Sequence, residues 1–330
     1  MQMNPASHGR PFLATDVGGT HARLALVGAR TDGGIEIVDQ HKYLCAEFDG
    51  LAAIVADFLA SRGGVDDAAI GCTGMLRDDT IRGVNLPWPV ALRDLRALGI
   101  ARVAAVNDFV AVAHAAQCMG DSDGQLLTPD AAAPDPGPVL VVGPGTGFGA
   151  ALRVPVGQQG WMVLGSDAGQ VSLAPGTARE RDLLARLQGE AGYVSVEQVV
   201  SGPGLLRTYR ALCALDGVTP RIDAPGDIAS AAETGADVHA AEAVAIFCAQ
   251  FGSLLADLVL VTGATRAFVA GGIVAKILAL LERSDFAMRF LDKGAMRSVL
   301  ARVPVRLIDH PHKGVIGAAS WYLQQQPSAH

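Results

Sequence analysis

Two short polar breaks in apolar sequence carry the residue types that can hold a phosphate. The first is Asp16-Val17-Gly18-Gly19-Thr20, set between the apolar runs Phe12–Ala14 and Ala22–Leu26. A glycine pair between two strand-like runs predicts a tight hairpin, because glycine takes positive φ without steric cost. With no side chains at the tip, successive backbone N–H groups can face an anion, the nest geometry that suits a phosphate. Asp16 is placed to hold a magnesium ion, directly or through water, since magnesium takes few carboxylates and many waters. An ordinary hairpin with a solvated aspartate is the alternative. The second break, Gly143-Pro144-Gly145-Thr146-Gly147-Phe148-Gly149, repeats the plan after Val139–Val142, its Gly-Thr pair 126 residues beyond the first (Thr146 minus Thr20). That interval is too long for a solenoid repeat and fits two related lobes, each offering a phosphate-binding hairpin. No lysine follows the glycines as a P-loop requires. Apolar residues continue at strand spacing where a dinucleotide fingerprint needs a helix.

Other candidates sit at element boundaries. Asn107-Asp108 comes where the buried run Val103–Val106 gives way to an apolar helical stretch, 109–118. An aspartate there is either a helix N-cap or a group at the mouth of a cleft. Pro87 stops a short run and leaves Asn85 at a loop edge. Ser166-Asp167-Ala168-Gly169-Gln170 is a polar loop between apolar segments, and Ser201-Gly202-Pro203-Gly204 is a turn that opens a helix. Arg266–Ala270 runs into Gly271-Gly272 at a helix start, a turn that lets backbone approach a nucleotide. Such pairs also serve plain helix–strand packing.

The elements that must position these residues follow from periodicity. Residues 12–45 read as successive strands and 49–62 as a helix, with apolar residues at helical spacing. A strand at 68–72 is expected parallel to the first, followed by helical residues 91–98 and the strand 103–106. From Met119 to Pro138 the chain is rich in Gly, Asp and Pro, the composition of a boundary or a long surface connection. Beyond the second hairpin, a helix at 177–188 is expected to turn Arg179, Glu180, Arg181 and Asp182 to solvent. Residues 227–260 are alanine-rich and helical, a core segment by default; 305–308 is a late strand and 314–325 a closing helix.

Composition narrows the class. A chain of 330 residues has room for two domains and a substantial core. Half of it is hydrophobic, 18% is charged and the net charge is −7. That balance argues against a disordered chain, nucleic acid or an anionic membrane surface as partner. Five dispersed cysteines without a C-x-x-C pair fit reduced thiols better than a disulfide frame or a zinc site. Residues 1–10 are polar and lack the apolar core of a signal peptide. The longest apolar stretches are broken by Gly, Arg or Asp short of a membrane span. A soluble, cytoplasmic protein is expected.

Together these motifs resemble the bacterial ATP-dependent glucokinases of the hexokinase/actin-like superfamily. The likeness runs from about Ala14 to about Leu323. It rests on Asp16-Val17-Gly18-Gly19-Thr20, Val106-Asn107-Asp108-Phe109, Gly145-Thr146-Gly147-Phe148-Gly149, Ser201-Gly202-Pro203-Gly204-Leu205 and Ala270-Gly271-Gly272-Ile273-Val274, in family order. The zinc-binding cysteine cluster of the related ROK family is absent, which favours the glucokinase branch. The resemblance implies an α/β fold, the two-lobed actin-like ATPase (ribonuclease H-like) architecture with mixed central sheets flanked by helices. It implies a small domain of residues 1–118 and 309–330, a large domain of 119–308, an active site in the cleft between them, and a homodimer.

It also implies roles. Asp108 would be the general base for the sugar 6-hydroxyl as that oxygen attacks the ATP γ-phosphoryl. A free aspartate is a poor base for an alcohol, yet in a loose phosphoryl-transfer transition state the proton becomes acidic late, so an oriented carboxylate suffices. Asn107 and Glu197 match sugar ligands, with Asn85 a further one. The amides around Gly18, Gly19, Thr20, Gly145 and Thr146 would hold the phosphates of ATP with Mg2+ near Asp16, and Gly271 and Gly272 would lie on the adenosine side. One place departs: where the family has Glu-x-Gly-His against the sugar, this chain has Asp167-Ala168-Gly169-Gln170. A kinase for another hexose, or a catalytically weak sugar-binding regulator, are the rival expectations.

Overall fold

The apolar runs on either side of Gly18-Gly19 form an antiparallel hairpin, β1 (Ser7–Val17) and β2 (His21–Arg30), with Asp16 opposite Arg23 and Val17 opposite Ala22. The computed structural model describes residues 7–30, 34–83, 86–116, 124–128, 136–157, 160–189, 192–308 and 310–325. The chain divides into two compact units, Met1–Asp121 with His310–His330, and Ser122–Asp309.

In the first unit the hairpin is extended by β3 (Ile35–Leu44), α1 (Leu51–Ala60) and β4 (Asp67–Cys72). A small three-stranded sheet follows: β5 (Met75–Arg77), β6 (Thr80–Arg82) and β7 (Val90–Ala91). Then come α2 (Leu92–Ala97), β8 (Arg102–Asn107) and α3 (Asp108–Ala115). The main sheet has the order β3-β2-β1-β4-β8, with β1, β4 and β8 mutually parallel. Its two faces are read off alternate residues of β1. Leu13 joins a core with Ile54, Phe58 and Leu95, while Phe12 and Ala14 join one with Ala111, Ala318 and Tyr322. A strand buried on both faces needs this continuous apolar run. The C-terminal helix, Lys313–Gln325, lies on that second face. Small residues set its approach: a Cβ on Gly317 would collide with the Ala111 carbonyl, and one on Gly71 would lie 3.2 Å from the Ala318 Cβ.

The second unit holds β9 (Gln125–Leu126), β10 (Val139–Pro144), β11 (Phe148–Val156), β12 (Gly160–Ser166) and α4 (Ala178–Gln188). It continues with α5 (Gly202–Leu215), α6 (Pro225–Thr234), α7 (Val238–Thr262), β13 (Arg266–Val269), α8 (Gly272–Lys276) and β14 (Val305–Leu307). Its sheet order is β12-β11-β10-β13-β14-β9. A hairpin plus third antiparallel strand, then two parallel strands, is the plan of the first unit repeated. The relation suggested by the two Gly-Thr turns is thus present in the sheets.

Three expectations are corrected. Glu180 does not face solvent: it is 4% exposed, and the Arg289 guanidinium donates to it at 2.9 Å, with Gln250 donating at 2.7 Å. The charged run of α4 hid a buried ion pair because the partner lies 109 residues away. The helix α7 is long and apolar enough by length and composition to cross a membrane, with Glu242 and Asp257 its only acidic or basic residues apart from His239. Two thirds of that stretch is buried within the second unit, with Phe247, Phe251 and Leu255 fully enclosed, so its apolarity is that of a core helix. Most of the 119–138 connection lies outside the described residues, but Gln125–Leu126 within it is a strand paired to β14.

Candidate active site

In the first unit the candidates gather where three parallel strands end. Asp16 of β1 is in register with Gly71, and Cys72 of β4 with Asn107 of β8. Asp16, Thr73, Asn107 and Asp108 therefore share the carboxyl edge of the sheet, the edge at which open α/β sheets take ligands.

The capping role left open for Asp108 belongs to its neighbour. Asn107 Oδ1 accepts from the N–H groups of Phe109 (2.9 Å) and Val110 (3.3 Å) at the start of α3. Its amide NH2 remains available to donate. Asp108 is the first helical residue, and its carboxylate accepts from the Phe109 N–H at 2.9 Å. Burial is the main cause that pushes the Asp108 carboxyl up to about 6, with the Asp16 charge adding to it; the Phe109 N–H and the Thr73 hydroxyl, both donating to the carboxylate, pull the other way. A half-buried carboxylate with that proton affinity is a better base than an exposed one.

Asp16 is also raised by burial, opposed by Arg23 and by Lys313. Arg23 Nη1 lies 3.3 Å from Asp16 Oδ2, as the hairpin register dictates. The first turn of the C-terminal helix presses on the same carboxylate, and a Cβ on Gly314 would overlap it. A carboxylate at a helix N-terminus is favoured by the helix dipole. Burial, reinforced by nearby negative charge, raises the Cys72 thiol and leaves it inert.

Each glycine turn closes on itself before it can meet an anion. The Gly18 N–H donates to His21 O at 3.0 Å, and the Gly145 N–H to Gly147 O at 2.7 Å. A nest at either turn would have to be built from the amides that follow, at Gly19 and Thr20 and at Thr146 and Gly147. Thr20 and Thr146 are exposed at the tips. Gly18, Gly145 and Gly147 do not occupy the left-handed region, so positive φ is not why glycine stands there. At Gly147 the reason is proximity, since a Cβ would lie 2.6 Å from Glu197 Oε2.

Glu197 organises the candidate residues of the second unit. Its Oε2 accepts from the Phe148 N–H at 2.7 Å, immediately after the turn, and its Oε1 accepts from Gln170 Nε2 at 3.3 Å. Gly169 makes room for this, because a Cβ there would meet Phe148 O at 2.7 Å and Glu197 Oε2 at 3.2 Å. Gln170 ends a single 3-10 turn, 168–170, whose first carbonyl, on Asp167, accepts the Gln170 N–H at 2.9 Å. The Asp167 side chain is exposed and does not cap that turn. The Tyr193 hydroxyl donates to the Gln170 carbonyl. Ser201 caps α5, accepting the Gly204 N–H at 2.9 Å while donating to Glu197 O at 2.7 Å, and the Gly202 N–H reaches Gly145 O at 2.9 Å. Gly271 packs so closely that a Cβ would lie 2.5 Å from Pro144 O, whereas a Cβ on Gly272 would meet open space.

The structure thus brings Asp16, Asn107 and Asp108 together in one unit, and Gln170, Glu197 and the Gly145–Gly147 turn together in the other, with Asp167 on the Gln170 turn. Asn85 lies outside the described residues. Arg23, Thr73, Lys313 and Gly314 were not singled out from sequence. Only Arg23 left a signal, since pairing the first hairpin through Gly18-Gly19 sets it across from Asp16. Among the described residues no group of three or more His, Cys, Asp or Glu could hold a metal ion. A single carboxylate such as Asp16 fits magnesium held mostly by phosphate oxygens and water.

A family model described as glucokinase matches residues 13–325. A glucokinase-like protein from Xylella fastidiosa is 42% identical over 320 residues, 96% of this chain and 95% of its own. Glucokinase from Saccharophagus degradans is 33% identical over 316 residues, 94% of this chain and 98% of its own. Among solved structures, glucokinase from an Antarctic psychrotroph aligns with a TM-score of 0.83 at 31% identity, covering 96% of this chain and all of that one.

Proposed function

The chain belongs to the glucokinase family, and we propose that it transfers the γ-phosphoryl of ATP to the 6-hydroxyl of glucose, with Asp108 as general base. The observation that carries the assignment of the base is that Asp108 is relieved of capping by Asn107 and raised to about 6 by burial beside Asp16. At neutral pH it is ionised and still has the affinity to take the hydroxyl proton as the bond to phosphorus forms. The proton ends on the Asp108 carboxylate, and the negative charge leaves on ADP.

The other residues orient and neutralise. Asn107 Nδ2 donates to a sugar hydroxyl, and Glu197, Gln170 and Asp167 supply further partners, since a buried hydroxyl left unpaired costs about 1–3 kcal/mol. The amides of Gly19, Thr20, Thr146 and Gly147 hold phosphate oxygens, and Gly272 gives backbone access to the adenosine. Magnesium, when bound, neutralises phosphate charge, with Asp16 as its protein carboxylate. The reading assigns the chain the actin-like ATPase fold. Unpaired Cys45, Cys72, Cys213 and Cys248 suit a cytoplasmic, reducing setting. A homodimer is the family expectation that we retain.

A second reading, a kinase for another hexose, is favoured by one observation. The Gln170 amide that would meet the sugar is already bonded to Glu197. ADP release from purified protein with Mg-ATP and a panel of glucose, mannose, fructose and N-acetylglucosamine separates the two. Glucose as the sugar with the highest kcat/KM supports the first. A clear preference for another hexose supports the second, and no turnover with any sugar overturns both.

A further inference from the structure

The candidate residues of the first unit occupy the carboxyl ends of β1, β4 and β8. Toward the opposite ends of these strands the same unit has a separate cavity of about 560 Å³, the size of a small-molecule site. Phe12, Leu26 and Leu323 give it apolar lining, and Arg10, Arg62 and Arg102 line it with Asp66 and Asp67, while Asp39 pairs Arg62 from outside the lining. The arginines are differently engaged. Arg102 is matched by Asp67, to which both Nε and Nη2 donate. Arg62 is clamped: Nε donates to Asp39 at 2.6 Å, Nη1 to the Phe58 carbonyl at 2.8 Å, and the guanidinium lies 4.3 Å from the Phe58 ring centroid. A fork fixed in this way offers its remaining donors with little entropy left to lose. Arg10 makes only a 3.8 Å contact with Asp66 between side chains that are 91% and 66% exposed. Such a pair contributes almost nothing, so the Arg10 charge is available.

We propose that this cavity binds a small organic anion, a carboxylate or phosphate monoester on an apolar body, with its charge on Arg10 and Arg62 and its body on the apolar lining of Phe12, Leu26 and Leu323. One rigid element joins this cavity to the candidate residues. The C-terminal helix lines the cavity with Tyr322 and Leu323, presses on the Ala111 carbonyl of α3 at Gly317, and meets the Asp16 carboxylate at Gly314. Because Gly317 and Gly314 leave no slack, a ligand that moves the helix moves Asp16 and the helix that begins with Asp108. Occupancy therefore changes the kinetics of the enzyme. The binding claim stands apart from the proposed activity, whereas the kinetic consequence rests on it.

The test uses phenyl phosphate and benzoate as probes, titrated by calorimetry and thermal shift without sugar, ATP or magnesium. Benzoate separates carboxylate from phosphate recognition. Gly64 lines the cavity, and a Cβ on it meets open space at an ordinary φ, so Gly64→Leu adds bulk to the lining without backbone strain. At least one probe should bind wild type at millimolar concentration or below, about tenfold more weakly to Arg10→Gln, and not at all to Gly64→Leu. Both variants should keep wild-type turnover without probe. The bound probe should change the KM for Mg-ATP about fivefold or more in wild type, with about tenfold more probe needed in Arg10→Gln and no change in Gly64→Leu. No binding by any probe, or binding that survives Gly64→Leu, overturns the site; binding with unaltered kinetics overturns the coupling through the helix.

Discussion

Asp108→Asn separates the base from a structural residue, because it should harm catalysis and help folding at once. Asparagine keeps the volume and an oxygen for the Phe109 N–H, and leaves the Asn107 cap untouched. Turnover should fall about 10²-fold or more, the scale of a lost general base. In wild type, the base form is required, so kcat/KM should decline below an apparent pKa of about 6. Stability should move the other way. The native carboxyl binds its proton more tightly than the unfolded one at 3.8, so the native state holds more protons between pH 3.8 and about 6. Wild-type stability therefore falls as pH rises through that window, and above it the full penalty is present. A carboxyl raised from 3.8 to about 6 corresponds to at most about 3 kcal/mol. Asp108→Asn should remove much of that cost, so its ligand-free unfolding midpoint should exceed wild type by several degrees at pH 8 and converge with it near pH 4. Steady-state kinetics and thermal unfolding across pH 4–8 make the comparison. Near wild-type kcat in the variant would refute the base, and a midpoint difference independent of pH would refute the burial argument.

Other outcomes follow from the second unit. Glu180→Ala leaves Arg289 buried without its partner and should cost about 3–5 kcal/mol in urea unfolding, while the KM for glucose measured well below the transition stays unchanged. Gly147→Ala puts a Cβ 2.6 Å from Glu197 Oε2, so Glu197 must leave the Phe148 N–H, and kcat/KM should drop about tenfold or more; an unaltered value would remove Glu197 from the site. Asp167→Glu with Gln170→His should lower the KM for glucose with little effect on kcat. An unchanged or raised KM, with another hexose preferred by the native protein, would show the loop adapted to that sugar.

Local features were readable in the sequence and distant ones were not. The two hairpins, their strands and the starts of α3 and α5 follow from apolar runs punctuated by Gly, Asn and Ser, signals that act within a few residues. Even the shared plan of the two sheets was visible as a repeated Gly-Thr turn. The identity of the cap was ambiguous, because Asn107 and Asp108 are equally good caps and only backbone geometry chooses between them. Nothing near Glu180 marks it as buried, since its partners Gln250 and Arg289 are 70 and 109 residues away. The neighbours of Asp16 divide the same way. Arg23 is a register position in its own hairpin, while Gly314 arrives from the far end of the chain. Gly147 was only one glycine of a turn in the sequence, because the clash with Glu197 that requires it leaves no mark on local composition.

The path of the chain has a consequence for how the molecule is made. The first unit contains both ends of the sequence described, and its C-terminal helix covers the face formed by Phe12, Ala14 and Ala111. A ribosome has to produce the whole second unit before that helix emerges, and nascent segments fold as they appear. Until then β1, β4 and β8 present a bare apolar surface, and Asp16 lacks the helix turn that presses on it. The second unit, continuous in sequence, can complete its own core without waiting. The helix that covers the carboxyl edge of the first unit therefore emerges only after the whole second unit, and a chain stopped short of residue 313 would hold one sealed core and one open one. Such a fragment exposes the surface that chaperones and proteases recognise, so premature termination is self-reporting.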